Sequence, residues 1–213
     1  MATYTRDQFV AKYSPYINTI TQGTGLLTGT VLSQGILESS GNYNTGGQWL
    51  VGGSQLSQEA NNYFGIKADP SWKGQVYNIN TREVVGGKSI YEKDDFRKYD
   101  SVEDSIKDHL SFLQNNSRYR NAGVFDAKTV QEQADALKRA GYATAPDYNT
   151  QVSNIFNSIK GSISNELANV TVAAKITKEY IKAHWLPITL ITTGVLIVIG
   201  LSAFLLINTK KTT

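Results

Sequence analysis

The feature that most constrains this chain is a run of 23 residues without a charge, from Trp185 to Ile207, reading WLPITLITTGVLIVIGLSAFLLI. As a helix it would be roughly 34 Å long, enough to cross a hydrocarbon core of about 30 Å. A helix of that length buried in a globular core carries a polar stripe. This run has only scattered Thr and Ser, whose hydroxyls can bond back to carbonyls of their own helix. Trp185 stands at one boundary as an interfacial aromatic, and Lys210 and Lys211 close the other. The expectation is a single transmembrane helix over 185–207, a short basic tail over 208–213, and a soluble part in front. The first residues, MATYTRD, contain no apolar run of the kind that opens a secretory signal, so the chain reads as tail-anchored. Lys175, Lys178 and Lys182 before the span are set against two lysines after it, which leaves the orientation open.

The 213 residues leave room for one domain of ordinary size ahead of that run. With no cysteine there can be no disulfide, thiol catalysis or thiolate metal site. The two histidines, His109 and His184, belong to different segments, so a metal site would have to be built mostly from carboxylates. No metal and no cofactor are expected. A net charge of +3 without a run of Lys or Arg excludes nucleic acid as an expected partner, while a mild positive balance suits an anionic polymer.

Hydrophobic spacing divides the soluble part into helices around one β element. Thr5 can cap a first helix with Phe9, Val10, Tyr13, Tyr16, Ile17 and Ile20 on its apolar face, and Pro15 should kink or divide it. A second helix can start at Thr28 and end near Glu38. Residues 41–53 hold five glycines and read as a loop, with Trp49 either a lid packed on the domain or a platform for a sugar. One helical turn fits 57–62. Residues 75–85 and 88–99, rich in Val, Ile and Tyr, flank Gly86-Gly87 and read as a β-hairpin. Helices follow from Ser101, a capping-box-like start, to Leu113, then over 129–140 and 147–160. Residues 161–184 form a connector that is either a stalk helix or a segment lying on a bilayer. The fold class is therefore α+β, a mostly helical lobe with a small β-hairpin lobe, and the domain proper is expected to occupy 1–160.

One carboxylate stands out. Glu38 ends the apolar stretch VLSQGIL and is followed by the Gly/Asn-rich SSGNYN. An apolar side disfavours the charged form and raises the pKa, while the loop side leaves room for a chain-like substrate. The competing reading is an ordinary solvated group at a helix end. A general acid for glycosidic hydrolysis needs a second carboxylate to activate water or to stabilise the oxocarbenium-like transition state. Glu83, in the first hairpin strand just before Gly86-Gly87, is the first candidate, and Glu92, Asp94 and Asp95 on the second strand could also serve. Each of them is equally readable as a solvated hairpin charge.

At this point the sequence resembles the glucosaminidase-type peptidoglycan hydrolases, found as bacterial autolysins, as the flagellar rod-associated hydrolase and as phage lysins. The resemblance is carried by VLSQGILESSGNYN, then ANNYFGIKAD, then TREVVGG with FRKYDSVEDSIKDHLSFL, and finally RYRNAG with AGYATAPDY, over about residues 5–160. It implies a lysozyme-like fold, places the general acid on Glu38 and puts the second acidic residue on Glu83. An aromatic usually follows that second residue, and here Val84 stands in its place. The resemblance also implies substrate contacts at Asn62, Tyr63 and Tyr142, the last in the Gly-Tyr-Ala-Thr block, while Phe64 and Ile66 read as core. Ala145 occupies a position that is acidic in relatives, which bears on local packing only. Sugars are gripped by aromatic faces and read by amide and hydroxyl groups, which agrees with these residue types.

The function implied is an endo-β-N-acetylglucosaminidase type of cleavage at β-1,4 bonds of peptidoglycan glycan strands by a membrane-anchored enzyme. Two further functions stay open. A lytic transglycosylase also carries Glu-Ser-Ser, but the Gly-Leu-Met-Gln block usual after it is replaced here by Tyr-Phe-Gly-Ile-Lys. A wall-binding or assembly module that has lost activity is the second. The expected partners are peptidoglycan, a lipid bilayer through the C-terminal helix, and virion or envelope proteins. The expected place is a virion membrane or the bacterial inner membrane, with the catalytic domain acting on periplasmic wall.

Overall fold

The computed structural model describes the backbone of residues 2–85 and 88–184 and the side chains of 2–80 and 93–179. Two compact units divide at Thr171/Val172. The first unit is built around a helix that is buried on nearly every side. This is α2 (Thr28–Ser39), in which Thr30, Val31, Leu32, Ser33, Gln34, Gly35 and Ile36 are all buried. Small residues make that possible. A Cβ on Gly29 would lie 2.6 Å from the Phe156 ring, and one on Gly35 would lie 3.3 Å from Phe9, so neighbouring aromatics sit directly on the helix backbone.

Around α2 pack α1 (Arg6–Thr21), α4 (Val102–Asn115), α6 (Val130–Arg139) and the start of α7 (Tyr148–His184). Their buried faces are Phe9, Val10, Tyr13 and Ile17 from α1, Ile106, Leu110 and Leu113 from α4, Ala134 and Leu137 from α6, and Val152, Ile155 and Ile159 from α7. Local capping starts three of these four helices. In α1, Thr5 Oγ1 accepts from Gln8 N–H at 3.2 Å and Gln8 Oε1 accepts from Thr5 N–H at 2.8 Å, a reciprocal capping box. Thr129 and Glu132 repeat that box in α6, and Ser101 Oγ accepts from Asp104 N–H at 3.1 Å in α4.

No side chain caps the start of α2 from within its own turn. Instead Gln133 of α6 reaches across. Its Oε1 accepts from Leu27 N–H at 2.9 Å, while its Nε2 donates to the carbonyls of Gly25 at 2.9 Å and Val124 at 2.7 Å. A buried glutamine with both ends satisfied thus joins the entry of α2 to α6.

The β element is an antiparallel hairpin, β1 (Gln75–Val85) with β2 (Lys88–Lys98), in the register Gln75↔Lys98 to Val85↔Lys88. The expected Gly86-Gly87 turn lies outside the described residues. The base of the hairpin is stitched to the segment after α3 (Gln55–Ala60). Tyr99 N–H donates to Ala60 O at 2.9 Å, Arg97 N–H to Ile66 O at 3.0 Å, and Ala68 N–H to Asp95 O at 2.8 Å. Arg97 adds an ionic brace. Its guanidinium donates to both carboxylate oxygens of Asp108 on α4 at 3.1 and 2.9 Å and to Asp69 at 2.7 Å, and it stacks over Trp72 at 4.7 Å. Ser71 and Arg97 together pull the Asp69 carboxyl down to about 2.

Four expectations need correction. Pro15 does not divide α1, which runs on to Thr21, because the packed face of Phe9, Val10, Tyr13 and Ile17 is continuous through it. The turn expected over 57–62 begins earlier, at Gln55, capped by Ser54, and is ended by Asn61 in the left-handed conformation (φ 51°). A short helix, α5 (Ser117–Asn121), was not expected. Finally, α7 passes 160 without a break, and Ile163 remains buried beyond it. No described helix is long and apolar enough to cross a membrane, and the expected span over 185–207 lies outside the described residues.

The loop after α2 closes on itself at a narrow neck. Gly41 and Leu50 exchange backbone hydrogen bonds of 3.0 and 2.8 Å, and Tyr43 N–H donates to Gly53 O at 2.8 Å. A Cβ on Gly53 would stand 2.1 Å from Gly41 O, closer than any side chain can come. Gly53→Ala is therefore expected to cost about 2 kcal/mol, or roughly 5 °C in Tm. Gly161→Ala on the exposed face of α7, where nothing lies within 4 Å, should raise stability by roughly 0.5–1 kcal/mol. Parallel thermal melts of the two variants check both signs.

Candidate active site

Glu38 is the penultimate residue of α2 and half-buried. The residues after it close the helix end. Ser39 Oγ donates to Gly35 O at 2.5 Å and Ser40 Oγ to Ile36 O at 2.6 Å, so the last carbonyls of α2 do not compete for the carboxyl. Ser39 also accepts from Gly52 N–H at 3.1 Å, which draws the neck of the loop against the end of the helix. Among the described residues no group hydrogen-bonds to the Glu38 carboxyl. Burial without a partner pushes it up to about 7.

A layer of rings lies beside it. Tyr142 and Tyr148 approach at 5.5 Å between centroids, and both feel the charge of Glu38. Tyr119 lies 6.2 Å from Tyr142, and the edge of His109 meets Tyr142 at 5.8 Å and 88°. Phe64 stacks on His109 at 3.9 Å, nearly parallel. Burial holds the imidazole of His109 neutral, down at about 3, and neither ring nitrogen has a partner among the described residues. His109 therefore works as a flat spacer between Phe64 and Tyr142, not as a base or ligand at neutral pH. Tyr142 donates to Phe64 O at 3.5 Å and keeps part of its surface exposed, so it can still meet a ligand.

Two of the expected substrate contacts turn inward. Asn62 is 1% exposed, and its amide is fully engaged. Its Nδ2 donates to Ile66 O at 2.9 Å and Arg97 O at 2.8 Å, and its Oδ1 accepts from Phe64 N–H at 3.4 Å and Ile66 N–H at 3.1 Å. It braces the corner between α3 and β2 and has nothing left to read an N-acetyl group. Tyr63 is also 1% exposed, stacked on Phe9 at 5.9 Å, with its hydroxyl donating to Ala2 O at 3.3 Å. It is core, and so is Phe64, as expected.

Glu83 lies on β1 opposite Ile90 of β2, and its side chain lies outside the described residues, as does that of Glu92. Farther along β2, Asp94 pairs with Lys67 at 2.9 Å and Asp95 accepts from Asn78 at 2.8 Å. Among the described residues no three His, Cys, Asp or Glu are placed to hold a metal. A surface cavity of about 420 Å³ bounded by Asp69, Arg97, Phe112 and Asn116 does not include Glu38. Two site residues are not singled out by the sequence. Tyr148 opens α7 and Gln34 lies within the apolar run of α2, joined by a 2.7 Å hydrogen bond. The place of Gln34 inside VLSQGIL is the signal that could have found it, since a polar group in an apolar helix needs a buried partner; nothing local points to Tyr148 as that partner.

Comparison with known proteins adds the following. The family model described as Glucosaminidase: Mannosyl-glycoprotein endo-beta-N-acetylglucosaminidase matches residues 14–161. The peptidoglycan hydrolase FlgJ of Pseudomonas aeruginosa is 43% identical over 96 residues, 45% of this chain and 24% of that protein. The exo-glucosaminidase LytG of Bacillus subtilis is 31% identical over 141 residues, 62% of this chain and 49% of that protein. The chain thus spans about a quarter of the first relative and about half of the second. Among solved structures, the catalytic domain of the autolysin Auto from Listeria monocytogenes superposes with a TM-score of 0.61 at 25% identity, covering 78% of this chain and 90% of that one. The likeness puts the domain in the lysozyme-like α+β class.

The raised carboxyl has a consequence for stability. Its pKa in the fold lies above the ordinary value of 4.5. The neutral carboxyl therefore contributes stability that is fully present below about pH 4.5 and lost as pH rises through about 7. Glu38→Gln, neutral at every pH, should match the wild type near pH 4.5. Near pH 8 it should melt higher, by a few degrees for a gain on the order of 2 kcal/mol. Calorimetry of both proteins across that range measures the difference.

Proposed function

Because the chain belongs to the glucosaminidase family, we propose that it is a glycoside hydrolase that cuts β-1,4 bonds in the glycan strands of peptidoglycan. Glu38 is its general acid. The observation that carries this is the placement of Glu38 at the exit of a buried helix, where desolvation keeps its proton up to about pH 7. An acid held in this state can protonate the leaving glycosidic oxygen under neutral conditions, where a solvated glutamate would already be ionised. The names borne by its relatives, peptidoglycan hydrolase and exo-glucosaminidase, support the substrate class.

Glu83 on the hairpin is the second carboxylate, on a different element from the acid, as activation of water or support of an oxocarbenium-like centre demands. The substrate's own acetamido group is the other candidate for that role. Tyr142, half-buried and under the influence of the Glu38 charge, is the aromatic we assign to sugar contact. The uncharged run over 185–207 anchors the domain to a bilayer, either a virion membrane or the bacterial inner membrane, with 161–184 as the connector. The activity then acts on wall within reach of that membrane.

Glu38→Gln should reduce release of fragments from purified peptidoglycan by at least about 100-fold. The wild-type rate should fall as pH rises through about 7, since the acid must carry its proton. Dye release from labelled wall measures both, and equal clearing by the variant would remove Glu38 from the mechanism. Mass spectrometry of the products distinguishes the reaction: reducing ends support hydrolysis, whereas anhydro ends assign a lytic transglycosylase. Binding without release would make the domain a wall-binding module. For the anchor, the full chain should stay with membranes through an alkaline wash, while a chain ending at 184 should be released.

A further inference from the structure

Gln34 and Glu38 stand one turn apart on α2, at the i and i+4 positions that share a helix face. Gln34 is buried, and its Nε2 donates to the phenol oxygen of Tyr148 at 2.7 Å. Tyr148, 2% exposed, is thereby anchored on the residue one turn before Glu38, and its phenol feels the Glu38 charge. A phenol oxygen that accepts a hydrogen bond keeps its own proton for another partner. Among the described residues that proton has no acceptor.

The groups near enough to matter come from every element around Tyr148. They are Glu38 at the end of α2, Tyr119 of α5 and Tyr142 before α7, and Tyr142 is in turn met by His109 of α4 edge-on and influenced by Tyr99 just beyond β2. The tyrosines are raised by burial and His109 is held neutral, so Glu38 alone among them changes charge in the neutral range.

We propose that Tyr148 is a positioning residue whose hydroxyl, anchored on Gln34, turns its proton to the Glu38 carboxyl as that group gives up its own. When Glu38 protonates the leaving oxygen, its O–H bond breaks and the electron pair stays on the carboxylate. The Tyr148 proton then supplies a hydrogen bond to that charge without leaving the phenol. Gln34 holds the phenol oxygen in place, and the bond to Glu38 forms as the charge appears. The proposal rests on Glu38 being the acid, so its test needs a readout that does not depend on turnover.

The titration of Glu38 in the full chain, followed by carbon-13 NMR of its carboxyl, is that readout. A hydrogen bond to the charged form favours ionisation, so Tyr148→Phe should move the midpoint upward by about 0.5–1 pH. The alkaline limb of peptidoglycan cleavage should move with it, and kcat should fall more than KM changes. The double variant Gln34→Met with Tyr148→Phe removes the amide left unpaired by the single change, and should move the midpoint in the same direction. A midpoint unmoved in either folded variant overturns the proposal, because the Tyr148 proton then goes to Gln34 Oε1. A lowered Tm with an unmoved midpoint does the same, leaving Tyr148 a packing residue. If the midpoint moves but the wild type releases nothing from peptidoglycan, the coupling stands and the hydrolase assignment falls.

Discussion

The burial of α2 is the constraint on which the rest depends. A helix surrounded by α1, α4, α6 and α7 has no solvated face along most of its length. Its glycines let aromatic rings lie against its backbone, and its buried polar side chains must find partners inside the domain or go without. Such a helix delivers whatever stands at its end into a region of low dielectric. Glu38 is at that end, and no specific neighbour is needed to hold its proton, because desolvation alone does so. The raised pKa of Glu38 is thus a property of the core as much as of the residue.

A second set of contacts controls where the hairpin stands. Asn62 folds the segment after α3 on itself through three hydrogen bonds and ties it to β2 through a fourth, to Arg97 O, while Arg97 links β2 to α4 through Asp108. Tyr99 donates to the same carboxylate at 2.7 Å, so the base of the hairpin is held by a small polar network with little freedom. The motif residue Asn62 therefore holds the base of the hairpin, while Tyr63 packs in the core against Phe9. A motif marks positions that matter without stating whether they face ligand or core.

What could be read from the sequence follows the range of the interactions. Thr5, Ser101 and Thr129 are legible as helix starts because a cap involves residues three apart. The hairpin and the placement of Glu38 are legible from alternation and from the apolar run before it. Pro15 leaves α1 undivided because the local preference of proline loses to a continuous packed face. The extension of α7 past 160 is hidden because Gly161, a local breaker, is tolerated inside a helix whose face stays buried on both sides of it. The pairing of Gln34 with Tyr148 spans 114 residues of sequence, and no local pattern can report it. Tyr63 reads as outward-facing because a tyrosine suits a sugar site and a core equally well, and only its stacking on Phe9 decides between them.

The narrow neck after α2 has one more implication. Gly41, Leu50 and Gly53 close it through backbone groups alone, and the arc between carries Trp49 with 71% of its surface exposed. Closure therefore makes no demand on the side chains of the arc. Doubling the length of such an arc adds only about 0.6 kcal/mol of closure entropy. Evolution or a designer can replace this stretch wholesale, changing what the domain presents after Glu38, while the two glycines at the crossing remain the part that no replacement can touch.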